Sequence, residues 1–203
     1  MIRLAQDIYS WNSFNTEKGL NFNGTLVVCG DKAIVVDPPP HSAGDEAFLD
    51  TKLKVRPSVA VVTNKHHLRN VNWWLERYGI PLAMHEAETN DYDFDVALKL
   101  KGGDRVEGRG TVVHLPGKTA GEIALLVDGD GGTLLVGDAL IGDPGGALRF
   151  LPKEKISDPT RLATSLQALR ALSFERLLPG DGEPLLSGAK ATVLKFLDGL
   201  PSR

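Results

Sequence analysis

Residues 59–62 read Val-Ala-Val-Val, apolar on both of the alternating positions of a strand. A strand presents successive side chains to opposite faces of its sheet, so an unbroken apolar run needs cover on both faces. A central, parallel strand meets that condition. The run ends in the polar heptad Thr63-Asn64-Lys65-His66-His67-Leu68-Arg69. Residues 70–78 then have the spacing of a helix, closed by Gly79, and residues 81–85 predict another strand. Strand, loop, helix and strand make a βαβ rhythm, and α/β architecture follows from that pattern alone.

The flanking segments fit the same class. Residues 8–14 predict a strand, and residues 25–29 and 32–37 predict a hairpin around Gly30-Asp31. Pro38-Pro39-Pro40 stops it, because proline has no N–H for the ladder. Residues 43–53 have helical spacing, with Phe48, Leu49 and Leu53 on one side. Three β runs follow at 110–115, 122–127 and 133–136, separated by turn residues such as Asp128-Gly129-Asp130-Gly131-Gly132. Residues 142–155, rich in Gly and Pro, read as a loop; Arg149, Phe150 and Lys153 mark it as a candidate lid or partner surface. Asp158-Pro159 is an N-cap followed by a first-turn proline. It starts a helix to about Leu172 with Leu162, Leu166 and Leu169 on its apolar face. Leu177-Leu178 ends a short strand, and residues 187–200 predict a closing helix.

The 203 residues suit one domain, 1–203, long enough to bury about 70% of the unfolded surface. A net charge of −3 argues against a nucleic-acid backbone as the principal ligand. Cys29, the one cysteine, lies in an apolar strand pattern and reads as a small buried hydrophobe. No run approaches the length of a membrane span and the N-terminus lacks a continuous apolar segment, so a cytoplasmic protein without membrane contact is expected.

Four ordered segments carry a resemblance. The first is the heptad. The second is His114-Leu115-Pro116-Gly117-Lys118-Thr119-Ala120-Gly121-Glu122, the third Leu134-Leu135-Val136-Gly137-Asp138, and the fourth Leu177-Leu178-Pro179-Gly180-Asp181-Gly182. They resemble, in order, the T-H-x-H-x-D-H, P-G-H-T-x-G, strand-G-D and P-G-H-G motifs of the metallo-β-lactamase superfamily. Val35-Val36-Asp37 adds the family's early strand-Asp feature, here followed by three prolines. The resemblance covers nearly the whole chain. It implies a four-layer αββα sandwich, two mixed sheets face to face with helices outside, and a cleft at one edge where the motif loops converge.

The same resemblance implies seven metal-ligand positions, which fall on Asn64, His66, Leu68, Arg69, Lys118, Asp138 and Asp181. Only His66 and Asp138 keep the family residue. Leu68 cannot coordinate, and Arg69 keeps its proton at any workable pH. A dinuclear centre needs deprotonated donors around each ion, so none is expected. Arg69 and Lys118 instead bring positive charge to a cleft where Asp138 and Asp181 bring negative charge. Unpaired carboxylates in low dielectric are costly, so the two basic side chains are read as fixed counter-charges, and Asp138 is expected to pair with Lys118 or Arg69. A competing reading keeps a single Zn, Mn or Fe ion on His66, Asp138 and Asp181, with or without His67.

Other polar residues have plainer readings. His67 could face the cleft or point away, and Asn64 is read first as a loop hydrogen-bonder. His85 reads as a partly buried hydrogen-bonded residue, His41 as solvated, and His114 as a residue of the outer strand face. Of Trp73-Trp74, one ring is expected in the core and the other in an apolar patch or a homodimer contact.

Two functional classes remain. One is a metal-free member that binds or acts on a small polar or anionic molecule. In it Asn64, Arg69, Lys118 and Asp181 contact the ligand, and His66, His67 and Asp138 are the candidate acid/base groups. The other is a mononuclear metal-dependent hydrolase of an ester, thioester or lactone. A fold alone does not license that activity.

Overall fold

The computed structural model describes residues 1–88 and 95–200. Strands β1 (Ile2–Ala5), β2 (Ile8–Asn15), β3 (Leu20–Cys29), β4 (Lys32–Val36), β5 (Arg56–Val61), β6 (Leu82–His85) and β7 (Leu98–Leu100) pair in sequence order into one sheet. It is antiparallel from β1 to β4 and parallel from β4 to β7. Strands β8 (Arg105–Val106), β9 (Gly110–His114), β10 (Ile123–Val127) and β11 (Thr133–Val136) form an antiparallel meander. A separate hairpin follows, β12 (Ile141–Asp143) with β13 (Ala147–Arg149). Strand β14 (Arg176–Pro179) then lies parallel to β11 and completes the second sheet.

Alternation along the strands builds the layers. In β3, β4 and β5, Val27, Ile34, Val36, Val59 and Val61 meet Val112, Ile123, Leu125, Leu135 and Leu178 of the second sheet. The intervening Leu26, Ala33, Val35, Ala60 and Val62 face the other way, onto Leu49, Val71 and Trp74. Those residues belong to helix α1 (Ala43–Phe48) with its wider final turn, Leu49–Leu53, and to α2 (Val71–Tyr78). On the far side of the second sheet, Leu162, Leu166, Leu169, Val193 and Leu197 cover Ala124, Leu134 and Val136. They come from α3 (Pro159–Ser165), its tighter continuation Leu166–Ala171, and α4 (Ala189–Asp198). The apolar run at 59–62 is thus buried on both faces, as its composition requires. This is the expected αββα sandwich.

Several elements differ from the sequence reading. The short edge strands β1, β7 and β8 have few buried residues and gave no alternating signal. Strand β3 starts five residues earlier than expected because the ladder to β2, with Asn12 opposite Asn23, overrides the weak strand preference of asparagine. Residues 142–155 are not structureless: the turn at Gly145 and Gly146, both at positive φ, closes the β12–β13 hairpin. The helix begun by Asp158, whose carboxylate accepts from Arg161 N–H, tightens after Ser165. Its carbonyls at Leu169, Arg170 and Leu172 are capped by the Lys190 ammonium.

The parallel pairings fix where chemistry can collect. Val36 is level with Val61, and Val136 with Pro179. Asp37, Thr63, Asp138 and Asp181 therefore all leave the carboxyl ends of strands, the rim at which open α/β sheets bind ligands. The two rims are tied directly: Ile123 N–H donates to Thr63 O at 2.9 Å, and Asn23 N–H to Gly180 O at 2.8 Å.

Candidate active site

Asp37 anchors the first rim. One oxygen of its carboxylate accepts from Thr63 N–H at 2.8 Å; the other accepts from Thr63 Oγ1 at 2.6 Å and lies 2.8 Å from His67 Nδ1. Asp37 and Arg69 both have positive φ, 47° and 29°, a conformation that non-glycine residues hold only where their surroundings enforce it. The surroundings here are ion pairs.

The tight turn Lys65–His67 decides which histidine enters the interior. Asn64 caps it through Oδ1, which accepts from His66 N–H at 2.8 Å. With about three residues per turn, adjacent side chains point roughly a third of a circle apart. His67 turns inward and is buried; His66 is exposed on the cleft wall. Of the single-ion set named from the sequence, His66, Asp138 and Asp181 with or without His67, the structure brings His67, Asp138 and Asp181 together. Among the described residues the group of potential metal donors is His67, Asp138 and Asp181, whose ligand atoms lie within 4.8 Å of one another, and His66 is outside it.

Every member of that group has an organic partner. His67 Nε2 is 3.2 Å from Asp138 Oδ1 and 3.9 Å from Asp181 Oδ1. Lys118 Nζ is 3.3 Å from Asp138 Oδ2, the expected pairing. Arg69 is salt-bridged to Asp181 through Nη2, donates to Gly180 O through Nη1 at 3.3 Å, and lies over the Phe22 ring at 4.0 Å. Burial alone would lower the His67 pKa, but the carboxylates of Asp37 and Asp138 more than reverse this and push it up to about 10. Burial tends to raise Asp138, and the charge of His67, with Lys118 behind it, holds it well below the usual carboxylate range. Glu122, fully buried nearby, is displaced the other way: burial and then the Asp138 charge raise it well above the ordinary value. Three cations, His67, Arg69 and Lys118, thus face three carboxylates, Asp37, Asp138 and Asp181. The sequence reading had counted two of the cations.

These residues do not fit a dinuclear metal centre. Two of the ligand positions carry cations, and Leu68 packs against the apolar cluster beneath helix α2. A single ion fits the donor set His67, Asp138 and Asp181 only if His67 gives up its proton and Arg69 gives up Asp181. Asp181 Oδ2 is the one atom favourable to that set: it is buried without a hydrogen bond, with Lys18 Nζ 3.9 Å away.

Over this floor opens a cleft of about 630 Å³, lined by His66, Lys118 and Asp138 at one side. The β2–β3 turn contributes Lys18 and Leu20, and the segment 149–157 contributes Arg149, Leu151, Lys155 and Ile156. The loop singled out in the sequence does border the cleft, through Arg149; Phe150 instead packs edge-on against Phe196. Asn64 is fully buried below the cleft.

Other residues sit apart from their sequence readings. His41 is not solvated: its side chain is 4% exposed, bonded to Glu46 and Asn70 and packed edge-on against Trp73. His114 stacks on His85 at 3.8 Å between centroids and bonds Ala120 O, bridging the two sheets instead of facing outward. Trp74 is core, and Trp73 is half-buried between His41 and Arg77.

Two residues hold the loops together, Glu88, which the sequence reading did not single out, and Asn23, which it took for an ordinary turn or cleft-rim residue. Glu88 accepts from Lys65 N–H at 2.8 Å and from Gly121 N–H at 2.9 Å, clamping the first motif loop to the second. Asn23 donates to Pro179 O and Gly182 O, fixing the fourth. Neither belongs to a motif; only their long-range partners reveal them. Gly180 is needed for space, since a Cβ there would lie 2.5 Å from His67 Cε1.

A family model described as the metallo-β-lactamase superfamily matches residues 2–198. The chain belongs to the metallo-β-lactamase superfamily. Solved structures of the superfamily's fold agree with it along most of their length. A metallo-β-lactamase from Pontibacter korlensis has a TM-score of 0.78 at 16% identity, with 98% of each chain covered. A protein designated TTHA1623, solved in a di-iron-bound form, has a TM-score of 0.69 at 22% identity, covering 90% of this chain and 98% of that one. An archaeal metallo-β-lactamase superfamily protein from Sulfolobus tokodaii has a TM-score of 0.72 at 17% identity, covering 94% and 84%. No curated protein sequence matches the chain. Within the superfamily, then, this member keeps the sandwich and its cleft and places cations among the cleft's carboxylates. Among the described residues no helix is long and apolar enough to cross a membrane.

Proposed function

We propose that this superfamily member works without a dinuclear centre and uses the family cleft to bind, or act on, a small polar or anionic molecule. The observation that carries the reading is the closed set of ion pairs: Arg69 on Asp181, Lys118 on Asp138, and the His67 imidazolium between Asp37 and Asp138. A cation entering this set must displace others, whereas an anion entering the cleft meets Lys18, Arg149 and Lys155. His66, exposed on the wall with burial and Lys118 lowering its pKa, is the acid/base group nearest such a ligand. The net charge of −3 and a cleft of about 630 Å³ favour a small molecule over nucleic acid. The test is elemental analysis of untagged protein with thermal melts in chelator. Metal far below one equivalent per chain and an unchanged melt are expected; a retained equivalent whose removal lowers the melt overturns the reading.

A second reading has a specific observation behind it. His67, Asp138 and Asp181 lie close enough to hold one ion, and Asp181 Oδ2 lacks a hydrogen bond. A single divalent ion there would supply an activated water for an ester, thioester or lactone. In that case Lys118 would remain beside Asp138 to orient it, and His66 would face the substrate. Hydrolysis abolished by chelator and restored by one metal selects this alternative.

A further inference from the structure

Beside the ion-paired floor, the same rim carries a second set of polar contacts that uses none of the floor's residues. His85 ends β6 in the first sheet and His114 ends β9 in the second. Their rings stack across the sheets, with centroids 3.8 Å apart and planes 17° from parallel. His114 donates through Nε2 to the carbonyl of Ala120, in the second motif loop, at 2.9 Å. His85 Nδ1 accepts from Ala87 N–H at 3.2 Å, inside the short turn Glu86–Glu88. That turn presents Glu88, whose carboxylate accepts from Lys65 N–H of the first loop and Gly121 N–H of the second. The contact is close: a Cβ on Gly121 would fall 2.2 Å from Glu88 Cγ.

The two rings answer a proton differently. A carbonyl can only accept, so His114 carries hydrogen on Nε2, and its bond to Ala120 survives when the ring gains a second proton. A backbone N–H can only donate, so His85 must keep Nδ1 bare. Protonating His85 sets two donors against each other at Ala87. The ring is 5% exposed and pinned by the stack, whereas the turn is a single three-residue stretch, so the turn yields.

We propose that His85 is a proton-operated catch on the Glu88 clamp: with Nδ1 bare the first and second motif loops are locked together, and with His85 protonated the Glu86–Glu88 turn opens and frees the loop that carries Lys118 into the cleft. The groups facing His85 are the stacked His114 ring from β9, Glu86 and Glu88 from the turn, and Asp104 just before β8. Glu86 is paired with Lys101 Nζ at 3.3 Å, Asp104 accepts from Lys101 N–H, and Glu88 is bonded to the two loop amides. Burial, followed by the His114 ring, outweighs the three carboxylates and holds the His85 pKa below 6.5. The catch is therefore closed at neutral pH and opens in acid.

Amide hydrogen exchange of the intact chain, followed by NMR between pH 7.5 and pH 5 and expressed as protection factors, tests this. Protection at Ala87, Lys65 and Gly121 should fall at least roughly fivefold in acid, the loss of about one hydrogen bond. Leu177, bonded to Leu185 O away from the clamp, should keep its protection. The midpoint of the fall should coincide with the titration of the His85 ring, read from its own carbon-bound protons. In His85→Asn, whose amide oxygen still accepts from Ala87 and takes up no proton, the fall should vanish. Unchanged protection at Lys65 and Gly121, or a His85 ring that takes up no proton above pH 5, would overturn the proposal. An equal fall at Leu177 would show general loosening and would also overturn it. A midpoint displaced from that of the ring, or a fall that persists in His85→Asn, would assign the proton to another group, such as His66 or Glu88, and end the proposal. If the variant does not fold, the comparison of midpoints in the unaltered chain decides alone.

Discussion

The Nδ1 of His67 lies 2.8 Å from Oδ2 of Asp37, joining the loops that leave two adjacent parallel strands. Asp37 spends its other contacts on Thr63, so the imidazole is held by a carboxylate that is itself fixed. The opposite ring nitrogen meets Asp138 on the second sheet. A single protonated ring therefore spans the two halves of the sandwich at the point where the family's fold collects its metal ligands.

His67→Ala should strip the central cation and leave Asp37 and Asp138 facing each other in low dielectric. Breaking a buried pair by removing one partner costs about 3–5 kcal/mol. Urea unfolding with an unchanged m-value should show a loss of that order. A loss below about 1 kcal/mol would mean that His67 is a bystander.

Arg69 and Asp181 should be energetically coupled. Arg69→Met leaves Asp181 buried and unpaired, whereas Arg69→Met combined with Asp181→Asn removes both charges. The double variant should recover at least ~1 kcal/mol relative to the sum of the two single losses, since contacting ionic residues are non-additive by about 0.5–3 kcal/mol. Additive losses in the cycle would contradict the pairing.

Glu88→Gln tests the clamp between the first and second motif loops. A glutamine offers one acceptor oxygen where the glutamate offered two, so the N–H of Lys65 or of Gly121 is left unbonded. The expected cost is about 1–3 kcal/mol, a melt lowered by roughly 2–4 °C for each. Protection of the Lys65 or Gly121 amide from hydrogen exchange should fall with it; unchanged protection at both would remove Glu88 from this role.

His85 gives the fold an acid sensitivity. Burial, and then the stacked His114 ring, lower its pKa from 6.5, outweighing the nearby Glu86, Glu88 and Asp104. The unfolded chain therefore takes up the proton first. Its contribution is complete above about pH 6.5, is lost progressively as pH falls toward the lower folded value, and is constant below that. In His85→Asn, where the amide oxygen can still accept from Ala87 N–H, the stability difference between pH 7.5 and pH 5.5 should shrink; an identical difference would exclude His85 as the source.

Much of the architecture was legible because it is local or periodic. The apolar run at 59–62, the Gly30-Asp31 turn, the Asp158-Pro159 start and the Leu162-Leu166-Leu169 stripe each report their own structure, and the order of the four motif segments identified the sandwich. Edge strands β1, β7 and β8 stayed hidden because pairing with a neighbour, not burial, defines them.

The sequence by itself determined that the metal positions hold Arg69 and Lys118 among carboxylates, because a residue's charge is written in its type. Only the tertiary structure decided between His66 and His67. Adjacent side chains in a tight turn diverge, and which one enters depends on where Asp37 and Asp138 stand, residues 30 positions before His67 and 71 after it. The pairing of Arg69 with Asp181, the clamp of Glu88 and the raised pKa of Glu122 are likewise properties of distance and burial. Those quantities exist only once two sheets have closed on each other.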